Sequence, residues 1–151
     1  MHAVATVLCN NILARARADK IKVSPMKLQK LMYYTCRDYA QVAKVSPINE
    51  SFEVWQYGPV LPSVYSEFKP FGPNPITSYA RNSTGEAHQV SEAFNPTLAA
   101  ALSAVWARHK RQSAVELSRL THQKGSGWYK AYMRGDRTIS LEDMLNDNTG
   151  R

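Results

Sequence analysis

Apolar residues recur every three or four positions near the start of the chain. Ala5, Leu8, Ile12 and Ala16 form one such stripe, with polar and basic residues between them. This spacing is typical of an amphipathic helix, because positions three and four apart share one face. The pattern therefore predicts a first helix over about residues 2–18.

A second helix is indicated by its start as well as by its stripe. Ser24 can cap the helix, and Pro25 suits the first turn, where no backbone amide hydrogen is needed. The apolar stripe that follows comprises Leu28, Leu31, Met32, Thr35 and Tyr39. Lys27, Lys30 and Arg37 fall on another face of the same helix. We expect that face to be a basic edge in solvent, with a surface for an anionic partner as the alternative.

The middle of the chain is predicted to be less regular. Residues 52–57 are rich in aromatic and β-branched residues and predict a short strand, which the Gly-Pro pair at 58–59 ends. Residues 61–63 offer a cap for a short helix that Pro70 stops. Residues 73–96 are polar, and we expect an exposed excursion there with at most one weak strand or hairpin.

The C-terminal half contains three more helix starts. They are Asn95 with Pro96, for a helix to about Lys110; Ser113 with Glu116, a capping box for a helix to near His122; and Ser140, for a final turn to Leu145. Between the last two, Gly125 and Gly127 break the chain before a short helix over 128–133, and Thr138 with Ile139 predicts a tiny strand. The elements together predict a mainly α fold, a compact helical domain with a very small β element.

Composition and charge indicate the number of domains and the cellular compartment. A chain of 151 residues is long enough for one core, so we expect a single domain over 1–151. The net charge of +7 is spread evenly, with +4 in residues 1–75 and +3 in residues 76–151, so the sequence predicts no basic tail. Two cysteines, Cys9 and Cys36, are too few for a disulfide framework. No apolar run reaches the roughly 20 residues of a membrane span, and we expect a soluble, cytoplasmic protein without a signal peptide.

Groups that perform catalysis are nearly absent from the sequence. There is no phosphate-binding glycine loop, dinucleotide fingerprint, HExxH zinc motif or GxSxG elbow. The four histidines are scattered and none has a cysteine partner in a local motif. His122 closes a predicted helix, where its ring can bond to the free carbonyl groups. We therefore predict no catalytic residue, cofactor or metal site, and a protein that is not an enzyme.

Three short blocks carry a resemblance to a known family. They are residues 28–34 (LQKLMYY), residues 52–65 (FEVWQYGPVLPSVY), and residues 113–122 (SAVELSRLTH) ending in 125–129 (GSGWY). In this order, over about residues 4–145, the chain resembles the Panacea antitoxin domain, also described as SocA-like or phage-associated. The family often has a proline before the tryptophan of the last block, where this chain has Gly127.

The resemblance implies a mainly helical domain that neutralises a toxin encoded beside it in a bacterium, prophage or phage. The cognate protein toxin is the implied partner. Neutralisation in the family is by direct binding, or by delivery of the toxin to a ClpXP-type protease as an adaptor. Two alternatives remain, a nucleic-acid-binding regulator, suggested by the charge and by residues 108–111, and a hydrolase with dispersed catalytic groups.

Four residues are candidates for partner binding. Tyr57 stands beside a Gly-Pro turn that would hold its neighbours rigidly, and Trp128 follows two glycines. Lys27 and Lys30 are expected to project from the polar side of their helix. Tyr and Trp are favoured at the centres of protein interfaces, although both are equally suited to the core. We expect Lys27, Lys30, Tyr57 and Trp128 to contribute to toxin recognition, with core packing of Tyr57 and Trp128 as the alternative.

Overall fold

Residues 2–151 are described by a computed structural model. In that range the chain forms seven α-helices and one two-stranded antiparallel sheet. The elements are α1 (Ala5–Asp19), α2 (Pro25–Ala43), β1 (Glu53–Trp55), β2 (Gly58–Val60), α3 (Pro62–Phe68), α4 (Pro96–His109), α5 (Ala114–Thr121), α6 (Gly127–Arg134) and α7 (Leu141–Leu145), with a 3-10 turn at Lys69–Phe71. The mainly α fold with a very small β element is confirmed.

Most helices begin where the sequence predicts, because their first turns are capped locally. The side chains of Ser24, Asn95 and Ser140 each accept a hydrogen bond from the amide three residues later. Ser113 and Glu116 form the predicted capping box, in which each side chain bonds to the other residue's amide. These caps satisfy amides that would otherwise lack partners at a helix start.

Helix α2 is the centre of the molecule. It contacts α1, α3, α4, α5, α7 and β2, so it is covered on nearly every side. Leu28, Leu31 and Met32 are at most 1% exposed, and they join residues of the other helices in the main hydrophobic cluster. A helix that is surrounded in this way has no broad solvent face, so its polar residues are buried as well.

The sheet is a short hairpin that differs from the prediction. β1 pairs with β2 so that Glu53 lies opposite Val60 and Trp55 opposite Gly58. The Gly-Pro pair at 58–59 therefore begins a second strand, where the sequence pattern indicated only an end. Gly58 has a φ of 119°, a conformation that residues with a Cβ rarely adopt. Thr138 forms an isolated antiparallel bridge to Glu53, at the place of the predicted tiny strand.

The polar excursion is held against α1 by two buried asparagines. The Asn10 amide donates to the carbonyl oxygens of Ala80 (2.9 Å) and His88 (2.8 Å), and its oxygen accepts from the Ala80 amide (2.8 Å). Asn11 makes the equivalent pair of bonds with Val90, at 2.9 Å each. Asn11 is 1% exposed because its side chain bonds to the backbone of this segment as a neighbouring strand would. Residues 73–95 contain no helix or strand.

Within residues 2–151, no helix is long and apolar enough to cross a bilayer.

Candidate functional site

The turn of the hairpin is fixed by side chains from the C-terminal helices. Three successive carbonyl oxygens, those of residues 55–57, each accept a hydrogen bond from a different side chain. The donors are Trp128 Nε1 to Trp55 (2.8 Å), His122 Nε2 to Gln56 (2.8 Å) and Ser118 Oγ to Tyr57 (2.7 Å). Carbonyl groups at a turn are normally left to water, so this arrangement immobilises a loop that would otherwise be mobile.

The three donors are themselves held in place. The Trp128 ring stacks on Tyr132, with the centroids 5.0 Å apart and the planes 6° apart, and it lies 4.0 Å from the His122 ring. His122 Nδ1 also lies 2.5 Å from the Ser118 carbonyl oxygen, in the last turn of α5. The His122 ring thus lies against a carbonyl group at the end of its own helix, the position that the sequence predicts for it.

The fixed turn presents Tyr57 to solvent. The Tyr57 residue is 62% exposed, although its carbonyl group is bonded to Ser118. Trp128 is only 6% exposed, so its ring belongs to the support of the turn. The structure thus separates the two aromatic candidates, because Tyr57 is available for direct contact and Trp128 positions the backbone beneath it.

We expect His122→Ala to loosen the hairpin and to lower the free energy of unfolding by about 1–3 kcal/mol, from lost hydrogen bonds and ring packing. Chemical denaturation measures the change, and hydrogen exchange of the β1 and β2 amides should become faster. His88→Ala is the matched control, since the His88 side chain is 56% exposed. If the hairpin amides exchange equally slowly in the parent and in His122→Ala, the histidine does not hold the turn.

Next to the turn lies a cleft of about 500 Å³. Its lining includes Met26, Lys30, Trp55, Tyr57, Val60, Tyr65 and Lys69. The Trp55 and Tyr65 rings are in contact, with their centroids 4.9 Å apart. The walls are therefore apolar and aromatic, and the only charged groups among the lining residues are two lysines.

Lys30 is an unusual residue in this cleft because it is 1% exposed. Its Nζ donates to the Pro59 carbonyl oxygen at 3.3 Å. Burial lowers the pKa of Lys30 to about 7, since the charged form loses its hydration. A Cβ added at Gly58 would lie 2.9 Å from both Lys30 Cε and Thr121 Oγ1, so a larger residue there would displace one of these side chains.

Lys27 is 6% exposed, and its Nζ donates to the Lys110 carbonyl oxygen at the end of α4. Burial lowers the pKa of Lys27, and the Glu116 carboxylate opposes that effect. Arg37 is fully buried. The expectation that Lys27, Lys30 and Arg37 form a basic edge in solvent is therefore wrong, because α2 is enclosed by its neighbours.

A buried polar cluster around Asp147 was not predicted from the sequence. The Asp147 carboxylate, 0% exposed, accepts from Tyr33 Oη (2.6 Å), the Gly127 amide (2.9 Å) and Arg37 Nη1 (3.4 Å). The Gly127 bond explains one feature of the last sequence block, since a proline at 127 would have no amide hydrogen to donate. Tyr33 and Arg37 are four residues apart on α2, which is the only trace of the cluster in the sequence.

No group of three or more His, Cys, Asp or Glu side chains in residues 2–151 is arranged to hold a metal ion. Cys9 and Cys36 are buried free thiols, and burial raises the pKa of both well above the usual range. A buried thiol with a raised pKa is a poor nucleophile.

The blocks of sequence at 52–65, 113–122 and 125–129 meet at one place in the fold. The first forms the hairpin and α3, and the other two carry the donors that hold the turn. The block at 28–34 runs beneath them in α2 and contributes Lys30 to the cleft. Four separate stretches of chain thus build one surface.

Comparison with known proteins gives the family. The model of the family described as "Antitoxin SocA-like, Panacea domain" matches residues 28–129. Antitoxin SocA of Caulobacter vibrioides (strain NA1000 / CB15N) is 32% identical over 128 residues, which cover 82% of this chain and 68% of that protein. No solved structure matches the chain. The chain belongs to the SocA-like antitoxin family with the Panacea domain.

Proposed function

We propose that this chain neutralises a protein toxin by binding it directly, and that the surface around the hairpin turn makes the contact. The observation that carries the proposal is the exposed Tyr57 on a turn whose three carbonyl groups are all held by side chains. An aromatic residue on a fixed backbone has less conformational entropy to lose on binding than one on a mobile loop, and aromatic residues often dominate interfaces. Membership of the antitoxin family supports a toxin as the partner.

The four residues chosen from the sequence have different parts in this proposal. Tyr57 and Lys30 line the cleft beside the turn, and they are the proposed contacts. Trp128 positions the turn through its bond to the Trp55 carbonyl group. Lys27 lies outside that cleft, and its contribution to binding stays a prediction.

The basic residues at 108–111 give the nucleic-acid alternative less support. Arg108 lies 3.5 Å from Asp38 and Lys110 lies 3.3 Å from Asp19, so both cations are paired with carboxylates. His109 is 2% exposed. A cation that is already paired within the chain contributes less to phosphate binding.

Co-expression with the product of the adjacent gene tests the proposal. We expect the parent chain to restore growth and to co-purify with that product, and Tyr57→Ala to weaken both effects. Phe94→Ala is the control, since Phe94 is 90% exposed and lies away from the cleft. Rescue of growth without any complex, or a neighbour that is not toxic, would contradict direct neutralisation.

We also propose that the complex delivers the toxin to a ClpXP-type protease. The toxin should then have a shorter half-life in cells that contain both the chain and the protease than in cells that lack the protease. An unchanged half-life would leave binding alone as the means of neutralisation.

A further inference from the structure

The cleft beside the hairpin turn has a chemistry that specifies its occupant. Met26, Trp55, Val60 and Tyr65 supply apolar walls within a volume of about 500 Å³. That volume is sufficient for one large side chain and part of the backbone that carries it. Tyr57 and Tyr65 are 62% and 39% exposed, so the apolar walls continue onto the open surface.

The charged residues that line the cleft are all basic. Lys30 and Lys69 line it, and none of its lining residues is acidic. The Lys30 ammonium has three donors but makes one hydrogen bond, at 3.3 Å, to the Pro59 carbonyl group. Lys69 Nζ lies 5.9 Å from the Tyr65 ring centroid, so this cation stands at the aromatic wall.

The neighbouring basic cleft differs in having a carboxylate in its lining. That cleft, of about 430 Å³, is lined by Lys27, Lys110 and other basic residues, but Glu116 also lines it. Lys110 is paired with Asp19, and Lys27 Nζ bonds to a carbonyl group. Of these two clefts, the one at the hairpin turn is lined by lysines without an acidic residue.

We propose that this cleft binds a segment of the toxin that places an aromatic or branched aliphatic side chain against Trp55 and Tyr65, with a neighbouring Asp or Glu carboxylate directed at Lys30 and Lys69. This inference rests on the proposed function, because it names the chemistry of the partner at the same surface. A carboxylate supplies acceptors for Lys30 and favours its charged form, which burial alone disfavours, and the enclosed position strengthens that charged hydrogen bond. The apolar side chain fills the space that water occupies in the free protein.

Titration of the purified toxin complex tests the two parts of the inference separately. We expect Lys69→Glu to weaken binding about tenfold or more, and Tyr65→Ala to weaken it by a similar factor. Lys124→Glu is the charge-matched control, since Lys124 is exposed and outside the cleft, and Phe94→Ala is the apolar control. Melting curves establish that each variant is folded. Binding of Lys69→Glu and Tyr65→Ala within twofold of the parent would overturn the inference and leave direct neutralisation standing.

A pair of small probes tests the cleft without the toxin. 3-Phenylpropionate joins an apolar ring to a carboxylate, and 3-phenylpropanamide is the same molecule without the charge. In NMR titrations to about 10 mM, a range suited to weak ligands, we expect the acid to shift the amide signals of Trp55 and Tyr57, and the amide to bind several-fold more weakly. Equal binding of the two probes, or no saturable shift with the acid, would overturn the carboxylate assignment. If the parent forms no complex with any neighbouring toxin, the proposed function fails and this pair alone decides the chemistry of the cleft.

Discussion

Replacing Asp147 with alanine is expected to lower the free energy of unfolding by about 2–5 kcal/mol, because two buried donors lose their acceptor and a buried ion pair is removed. The Asp147 and Arg37 side chains are both 0% exposed, and their charged atoms lie 3.4 Å apart. The substitution removes the acceptor for Tyr33 Oη and for the Gly127 amide. Arg37 keeps its ion pair with Asp38, at 2.7 Å, and its bonds to the carbonyl groups of Asp147 and Thr149, so most of the cost comes from the other two donors.

The effect should reach the proposed binding surface through α6. The Gly127 amide, at the first turn of α6, bonds to Asp147, and the next residue, Trp128, bonds to the hairpin turn. We therefore expect Asp147→Ala to increase hydrogen exchange in the hairpin as well as to reduce overall stability. Urea denaturation measures the second effect and exchange by mass spectrometry measures the first.

A surface aspartate provides the control for Asp147→Ala. Asp136 lies 2.9 Å from Arg134, and both side chains are about half exposed. Exposed ion pairs contribute little to stability, so Asp136→Ala should denature close to the parent. Asp147→Asn keeps the shape and some acceptors, and it should fall between the parent and the alanine variant. If Asp147→Ala and Asp136→Ala denature together, the buried cluster does not stabilise the fold.

Local signals account for the parts of the fold that the sequence predicts. Ser24, Asn95 and Ser113 mark helix starts because a cap acts on amides two or three residues away. Such a signal is complete within one turn of chain. The bounds of α2, α4 and α5 therefore follow closely from the pattern.

The candidate site depended on contacts between distant residues, and there the sequence was less informative. Lys30 looked solvated because it lies off the apolar stripe of α2, but its burial results from β2 and α5 packing on that face. The support of the turn joins Trp55 to Trp128, which are 73 positions apart, and no local pattern indicates such a bond. Tyr57 was recognised because a Gly-Pro turn is itself a local signal.

The second large effect concerns Lys30 and pH. Folding lowers the pKa of this lysine from 10.5 to about 7, so between these values the unfolded chain holds a proton that the folded chain has released. Stability increases with pH wherever the unfolded state binds more protons, so the contribution of Lys30 should become more favourable from pH 7 to 10.5. Below pH 7 both states are protonated and the cost of burying the charge is present in full.

We expect this dependence to disappear when Lys30 is replaced by methionine, which has a similar length and no charge. Lys30→Met should be more stable than the parent at pH 6–7, and the difference should shrink by about 4 kcal/mol as the pH approaches 10.5, because each pKa unit corresponds to about 1.4 kcal/mol. The tyrosines, whose pKa values burial raises, are common to both proteins and cancel in the comparison. Urea denaturation at a series of pH values measures the difference, and Lys124→Met, at an exposed position, should give a flat line. A parallel course for parent and Lys30→Met would show that Lys30 keeps its proton in the folded protein and that the cleft holds a permanent cation.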